Sequence, residues 1–123
     1  MFHIFVKNHF SAGHHLRNYP GNCERPHGHN WKVEVTVKAT ELDGLGMGID
    51  FRTVKEAVNK VLNGLDHHDL NEHDAFQSIN PSSENIAVYI FNHLQKDLSA
   101  DRYGVHSVTV CETDNSGVTY FGS

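Results

Sequence analysis

Two imidazoles separated by a single glycine, His27-Gly28-His29, form the pairing in this sequence best suited to hold a metal ion. On a strand, residues at i and i+2 point to the same side, so the two rings share a face. That parity continues into Trp31, Val33 and Val35, and His14 closes a second run that begins with Phe2 and Ile4. Three neutral imidazoles suit zinc, and three protein ligands leave a fourth position for water or substrate, the arrangement of a catalytic centre. Taken singly, each is more simply an ordinary surface or hydrogen-bonded histidine. As a set on apolar strand faces near strand ends, His14, His27 and His29 favour the metal.

Cys23, four residues before His27, has three readings. It closes the coordination shell as a fourth ligand, it is a thiol whose pKa the dication lowers so that it serves as base or nucleophile, or it is a small buried hydrophobe. In Asp66-His67-His68-Asp69 carboxylates and imidazoles stand side by side. An Asp accepting a hydrogen bond from a His fixes its tautomer and raises its basicity; a solvated turn accounts for the same letters. Glu112 is more specific. It follows Val108 and Val110 on an apolar strand face, where an unpaired carboxylate is costly, so it requires a partner. An Arg or a ligand edge with two N–H donors would serve. Cys111, on the parity of Ser107 and Thr109, reads as structural.

Alternation over residues 2–14 predicts a half-buried strand, bulged or bent at Asn8. A turn-rich loop carries Cys23, and residues 27–39 give the clearest strand, with Trp31, Val33, Val35, Val37 and Ala39 facing one way. Asp50 caps a helix running to about Leu62, with Phe51, Val54, Val58, Val61 and Leu65 as its stripe and Gly64 near its end. Residues 65–71 form a polar loop. A second helix starts from Asn80-Pro81-Ser82-Ser83, with Ile86, Ile90, Phe91 and Leu94 inward. Val105 to Glu112 alternates again, and Gly117 to Phe121 makes a short last strand after an Asn-Ser-Gly turn. Strands, helices, then strands describe an α+β domain with helices on one face of an antiparallel sheet.

The 123 residues fit one domain, 1–123, with enough apolar and aromatic residues for a modest core that oligomerisation would supplement. A net charge of −5 without a basic run argues against nucleic acid or an anionic membrane as partner. No stretch approaches the roughly 18 apolar residues of a membrane span, and the N-terminus lacks a signal-peptide layout, which points to the cytoplasm. There, two cysteines stay as thiols more often than they pair. Eleven histidines far exceed ordinary usage.

Together the motifs resemble the 6-pyruvoyl-tetrahydropterin synthase superfamily, and within it the 6-carboxy-tetrahydropterin synthase branch of queuosine biosynthesis. The resemblance spans nearly the whole chain: Phe10-Ser11-Ala12-Gly13-His14, Cys23 through His27-Gly28-His29-Asn30, Gly46-Met47-Gly48-Ile49-Asp50-Phe51, Leu65 through Asn71, Asn80-Pro81-Ser82-Ser83-Glu84-Asn85 and Glu112-Thr113. Three residues between Cys23 and His27 look like the carboxy-forming branch; pyruvoyl-forming enzymes carry a longer insertion there. Gly13 and Gly48 depart from the usual Ala and Val-like residues, and are expected to loosen packing without touching the chemistry.

The resemblance implies a T-fold: a four-stranded antiparallel sheet with two helices on one face, three chains closing a barrel and two trimers stacking as a homohexamer with sites between subunits. It implies 7,8-dihydroneopterin triphosphate as substrate, zinc on His14, His27 and His29 polarising its side-chain oxygens, and Cys23 as the proton-abstracting base. Asp66 and His67 would relay protons on the other side, with His68 and Asp69 behind them. Glu112 would grip the pterin's amino-pyrimidine edge and join the relay. Products would be 6-carboxy-5,6,7,8-tetrahydropterin, acetaldehyde and triphosphate. A pyruvoyl-forming synthase, which eliminates triphosphate without cleaving the side chain, and a non-catalytic zinc module closed by Cys23 are the competing readings.

Overall fold

The computed structural model describes residues 1–18 and 27–123, with His27 described by its backbone alone. Two long strands, β1 (Phe2–His14) and β2 (His27–Ala39), pair antiparallel in one unbroken register from Phe2↔Ala39 to His14↔His27. The alternation that predicts β1 therefore runs straight through Asn8 without a bulge. Asn8 keeps its inward position because its side-chain amide donates to Asn59 Oδ1 on the covering helix at 2.5 Å, so a polar residue on the apolar parity is satisfied rather than expelled.

After β2 the chain forms helix α1 (Phe51–Asn63), a short strand β3 (His68–Asp69), two 3-10 turns (Leu70–Glu72 and Asp74–Phe76), helix α2 (Ser83–Asp97), β4 (Tyr103–Thr113) and β5 (Ser116–Tyr120). The sheet order is β3-β1-β2-β4-β5. It is five-stranded and mixed rather than four-stranded and antiparallel. The addition is β3, which the polar loop after α1 contributes in parallel to β1 at Ala12↔His68 and Gly13↔Asp69. Two residues carry no readable periodicity, which is why the sequence reads there as loop. The bulge absent from β1 lies instead on β4, where His106 is extra between the pairs Thr36↔Ser107 and Val37↔Val105.

Both helices start where capping chemistry places them. Asp50 accepts from the Arg52 N–H and Ser82 from the Asn85 N–H, each satisfying a donor the first turn leaves open. Val54, Ala57, Val58, Val61 and Leu62 of α1 and Ile86, Ala87, Ile90, Phe91 and Leu94 of α2 pack on the sheet face made by Val6, Phe10, Trp31, Val33, Val35, Val37, Val108 and Val110. Phe51 is not part of that stripe; at the first helical position it faces solvent, 57% exposed. Gly48 does not loosen the packing. A Cβ there would come within 2.8 Å of both Ala39 Cβ and Ile4 Cδ1, so the glycine is where this turn closes onto β1 and β2.

Candidate functional site

The last residues of β1 and the first of β2 form one end of the sheet, and the register puts His14 directly across from His27. His14 is buried, 3% exposed. Its Nδ1 donates to the Pro81 carbonyl at 2.8 Å, which leaves Nε2 facing Glu112 Oε1 at 3.2 Å. His29 Nε2 lies 2.6 Å from the same oxygen. Trp31 walls the pair edge-on, its ring centre 4.8 Å from that of His14 and 5.5 Å from that of His29. Its indole N–H donates to Ala12 O at 3.3 Å, which holds that wall in place. The carboxylate that must have a partner on an apolar face thus has two imidazoles.

These contacts make a set of donor atoms for a cation. His14 Nε2, His29 Nε2 and a Glu112 carboxylate oxygen lie within 4.8 Å of one another. A zinc shell with bonds near 2.0–2.2 Å spaces neighbouring donors about 3.4 Å apart at tetrahedral angles. The 3.2 Å edge to His14 matches; the 2.6 Å contact to His29 has to open by less than about 1 Å. His14 Nδ1 points at a carbonyl and its Nε2 at a carboxylate, two acceptors, so a positive centre beside Nε2 satisfies the arrangement. Nitrogen and carboxylate donors with a backbone carbonyl behind one imidazole are the chemistry of zinc sites. His27 enters by register alone, and Cys23 lies outside the described residues.

Asp66 and His67 sit at the same end, on the turn after α1. Asp66 Oδ1 accepts from the Ser11 N–H at 2.8 Å, and His67 N–H donates to the Ser11 carbonyl at 2.6 Å, so both are tied to β1. Asp66 Oδ2 is 3.5 Å from His67 Nε2, an ion-pair distance without a hydrogen bond. His67 has φ +58°, a left-handed conformation that a side chain makes costly, and its imidazole is 82% exposed. The two contacts to Ser11, one from His67 and one to Asp66, hold the turn in this conformation. His68 Nδ1 bonds the Asp66 carbonyl at 2.7 Å, and Asp69 accepts from the Asn71 N–H at 3.0 Å; both shape the turn.

A depression of about 380 Å³ opens here, lined by Ser11, Ala12, Gly13, Gly28, His29, Asn30, His67 and His68. It borders His29 on one side and His67 and His68 on the other, and its size falls in the range of small-molecule sites. A larger hollow of about 630 Å³ lies over the outer sheet face among Lys7, His9, Lys32, Glu34 and Cys111. Cys111 is a half-buried free thiol there, pressed by Gly117, where a Cβ would come within 2.5 Å of its Sγ.

Residues 3–123 match the family model described as 6-pyruvoyl tetrahydropterin synthase. The chain belongs to that family. It is 36% identical over 126 residues to the 6-carboxy-5,6,7,8-tetrahydropterin synthase of Synechocystis sp., covering 98% of this chain and 94% of that one. It is 38% identical over 107 residues to the human 6-pyruvoyl tetrahydrobiopterin synthase, covering 83% and 72%. Its structure superposes on the 6-pyruvoyl tetrahydropterin synthase of Caenorhabditis elegans with a TM-score of 0.89 at 29% identity, over 99% and 96% of the two chains. The fold is accordingly a T-fold, α+β with two helices on one face of the sheet. No described helix is long and apolar enough to cross a membrane.

Proposed function

We propose that this chain is a zinc-dependent pterin lyase that converts 7,8-dihydroneopterin triphosphate, with water, to 6-carboxy-5,6,7,8-tetrahydropterin, acetaldehyde and triphosphate, a step of 7-deazaguanine and queuosine biosynthesis. The convergence of His14, His29 and Glu112 at the sheet end carries this reading, because it gathers two imidazoles and a carboxylate with their donor atoms within 4.8 Å of one another. His14, His27 and His29 would hold the zinc, which when bound supplies a Lewis acid for the substrate's side-chain oxygens. Cys23, four residues before His27 in the sequence, would take the carbon-bound proton. Asp66, fixed by Ser11, would orient the His67 imidazole to deliver and remove protons from the solvent side. Glu112 would turn its carboxylate to the amino-pyrimidine edge, a pair of charge-assisted hydrogen bonds.

The near-complete two-way coverage with the Synechocystis protein and the short Cys23–His27 spacing support the carboxy-forming branch. The human relative's identity supports the pyruvoyl-forming synthase as the second reading. Incubation with dihydroneopterin triphosphate, followed by identification of the pterin and any aldehyde, separates them. Acetaldehyde with a 6-carboxypterin is the expected result; a pyruvoyl product without aldehyde selects the second reading. No turnover, together with zinc lost in Cys23→Ala, would leave a zinc module closed by that thiol. A homohexamer of two stacked trimers, with each site completed by a neighbouring chain, belongs to the same proposal; light scattering near the monomer mass of 13.8 kDa would exclude it.

A further inference from the structure

Arg17 follows the end of β1, and its guanidinium is spent on backbone. Nη1 donates to the carbonyls of Phe76 at 2.8 Å and Ile79 at 3.2 Å, and Nη2 to that of Asn71 at 3.0 Å. Its own N–H donates to Asn80 Oδ1 at 3.0 Å, and Asn80 Nδ2 donates back to the Arg17 carbonyl at 3.1 Å. Two residues earlier, the His15 N–H donates to Asn71 Oδ1 at 2.8 Å. At the far end of the segment, Asn85 Nδ2 ties the Asn80 carbonyl to the start of α2 at 2.8 Å. Apart from two single 3-10 turns, residues 70–81 have no regular structure of their own to fix them.

That segment ends on Pro81, whose carbonyl accepts the His14 Nδ1–H. The partner on the non-ligating nitrogen decides which tautomer a metal-binding imidazole adopts and where its lone pair points. With no N–H of its own, Pro81 cannot be anchored through its nitrogen. The carbonyl lies between Ser82, which caps α2, and Asn80, which both Asn85 and Arg17 hold, so Arg17 acts on it from the side away from the helix.

We propose that Arg17 is a positioning residue of the metal centre: by strapping residues 71–80 to the end of β1 it fixes the Pro81 carbonyl, and through it the tautomer and aim of His14. The planar fork suits this task, since one rigid group reaches three carbonyls that a lysine, as a point donor, cannot serve together. The metal part rests on the zinc reading above; the tautomer part does not.

The test uses the full chain in two forms. In metal-free protein, long-range proton–nitrogen NMR of the histidine rings should show His14 protonated at Nδ1 in the wild type, with that proton lost or averaged in Arg17→Gln. In metal titrations against a chromophoric chelator, zinc affinity of Arg17→Gln should fall about 10- to 100-fold, the range typical of partners behind a metal ligand. The visible bands of the cobalt-substituted protein should weaken and shift. Arg17→Lys should lie between the two and serves if Arg17→Gln does not fold. Asn8→Ala, which cuts a hydrogen bond away from the site, should change melting temperature without changing affinity or spectrum. Wild-type Nδ1 signal, affinity and cobalt bands in Arg17→Gln would overturn the proposal, whatever its melting temperature. If the wild type takes up neither zinc nor cobalt, the zinc reading fails, and the Nδ1 signal alone decides the role of Arg17.

Discussion

Replacing Glu112 by Gln isolates what the carboxylate contributes, because the two side chains differ in charge and in one donor but hardly in size. One Glu112 oxygen lies between two imidazoles, 2.6 Å from His29 Nε2 and 3.2 Å from His14 Nε2, and the side chain is about one-third exposed at 33%. A bound pterin would exchange these contacts for two N–H donors of its amino-pyrimidine edge. A glutamine keeps one acceptor, so one bond survives without its charge assistance, and it turns an NH2 toward the other donor, so the second bond is lost to a clash of donors. Hydrogen bonds to charged groups contribute about 1.5–3 kcal/mol, which predicts that Kd for a simple pterin such as biopterin rises roughly 10- to 150-fold. Zinc affinity should fall by about tenfold, the low end for groups bordering a metal shell, since the imidazoles remain. The pterin titration, followed by quenching of Trp31 fluorescence, is therefore run at saturating zinc. A pterin Kd within twofold of wild type, in a variant that melts normally, would remove Glu112 as the anchor. If zinc binding alone collapsed, the carboxylate would be a metal ligand instead.

Cys23→Ala is expected to retain zinc and fold while losing turnover; elemental analysis alongside the acetaldehyde assay checks it, and near-normal activity would end its role as base. His67→Gly should gain up to about 1 kcal/mol of stability by removing a side chain from a left-handed turn, while proton transfer fails; a lower melting temperature would contradict the strain. Gly48→Val should destabilise the fold, because Ala39 Cβ on β2 cannot move aside as the Ile4 terminus can; thermal melting reads this. Asp43 has its carboxyl held below the ordinary value by the Met47 and Leu45 N–H groups. Its contribution is thus complete above pH about 3.9 and lost as pH falls through the folded-state value. Asp43→Ala and wild type should accordingly differ in melting temperature at pH 7, and the difference should shrink as pH falls below about 3.9.

Much of the fold is legible because its signals are local. The β2 alternation, the Asp50 and Ser82 caps and the Ile86-Ile90-Phe91-Leu94 stripe each act within one or two turns of chain, and the elements follow them closely. The misreadings share a different cause. Asn8 looks like a break in β1 until Asn59, on another element, satisfies it. Phe51 fits the helical period of α1, but at the first helical position its side chain is left exposed. Strand β3 exists only because Ser11 captures the turn at Asp66 and His67, laying the next two residues alongside Ala12 and Gly13.

The site divides along the same line. Parity alone put His14, His29 and Glu112 on inward faces, and a carboxylate stranded among valines demanded a partner before any partner was known. Parity is silent on what makes those side chains a centre. The atom that sets His14 is a backbone carbonyl 67 residues away, and carbonyls leave no mark in a sequence. The Asn80-Pro81 pair gave a hint, as a helix start whose preceding residues have no regular pattern. Arg17 gave none, since an arginine after a strand reads as a solvated charge. Ligand atoms at strand ends are specified by local chemistry, whereas their tautomers and directions are specified by loops packed from elsewhere. A variant of such a loop should therefore change metal binding before it changes the fold, and Arg17→Gln is the variant that puts the two in order.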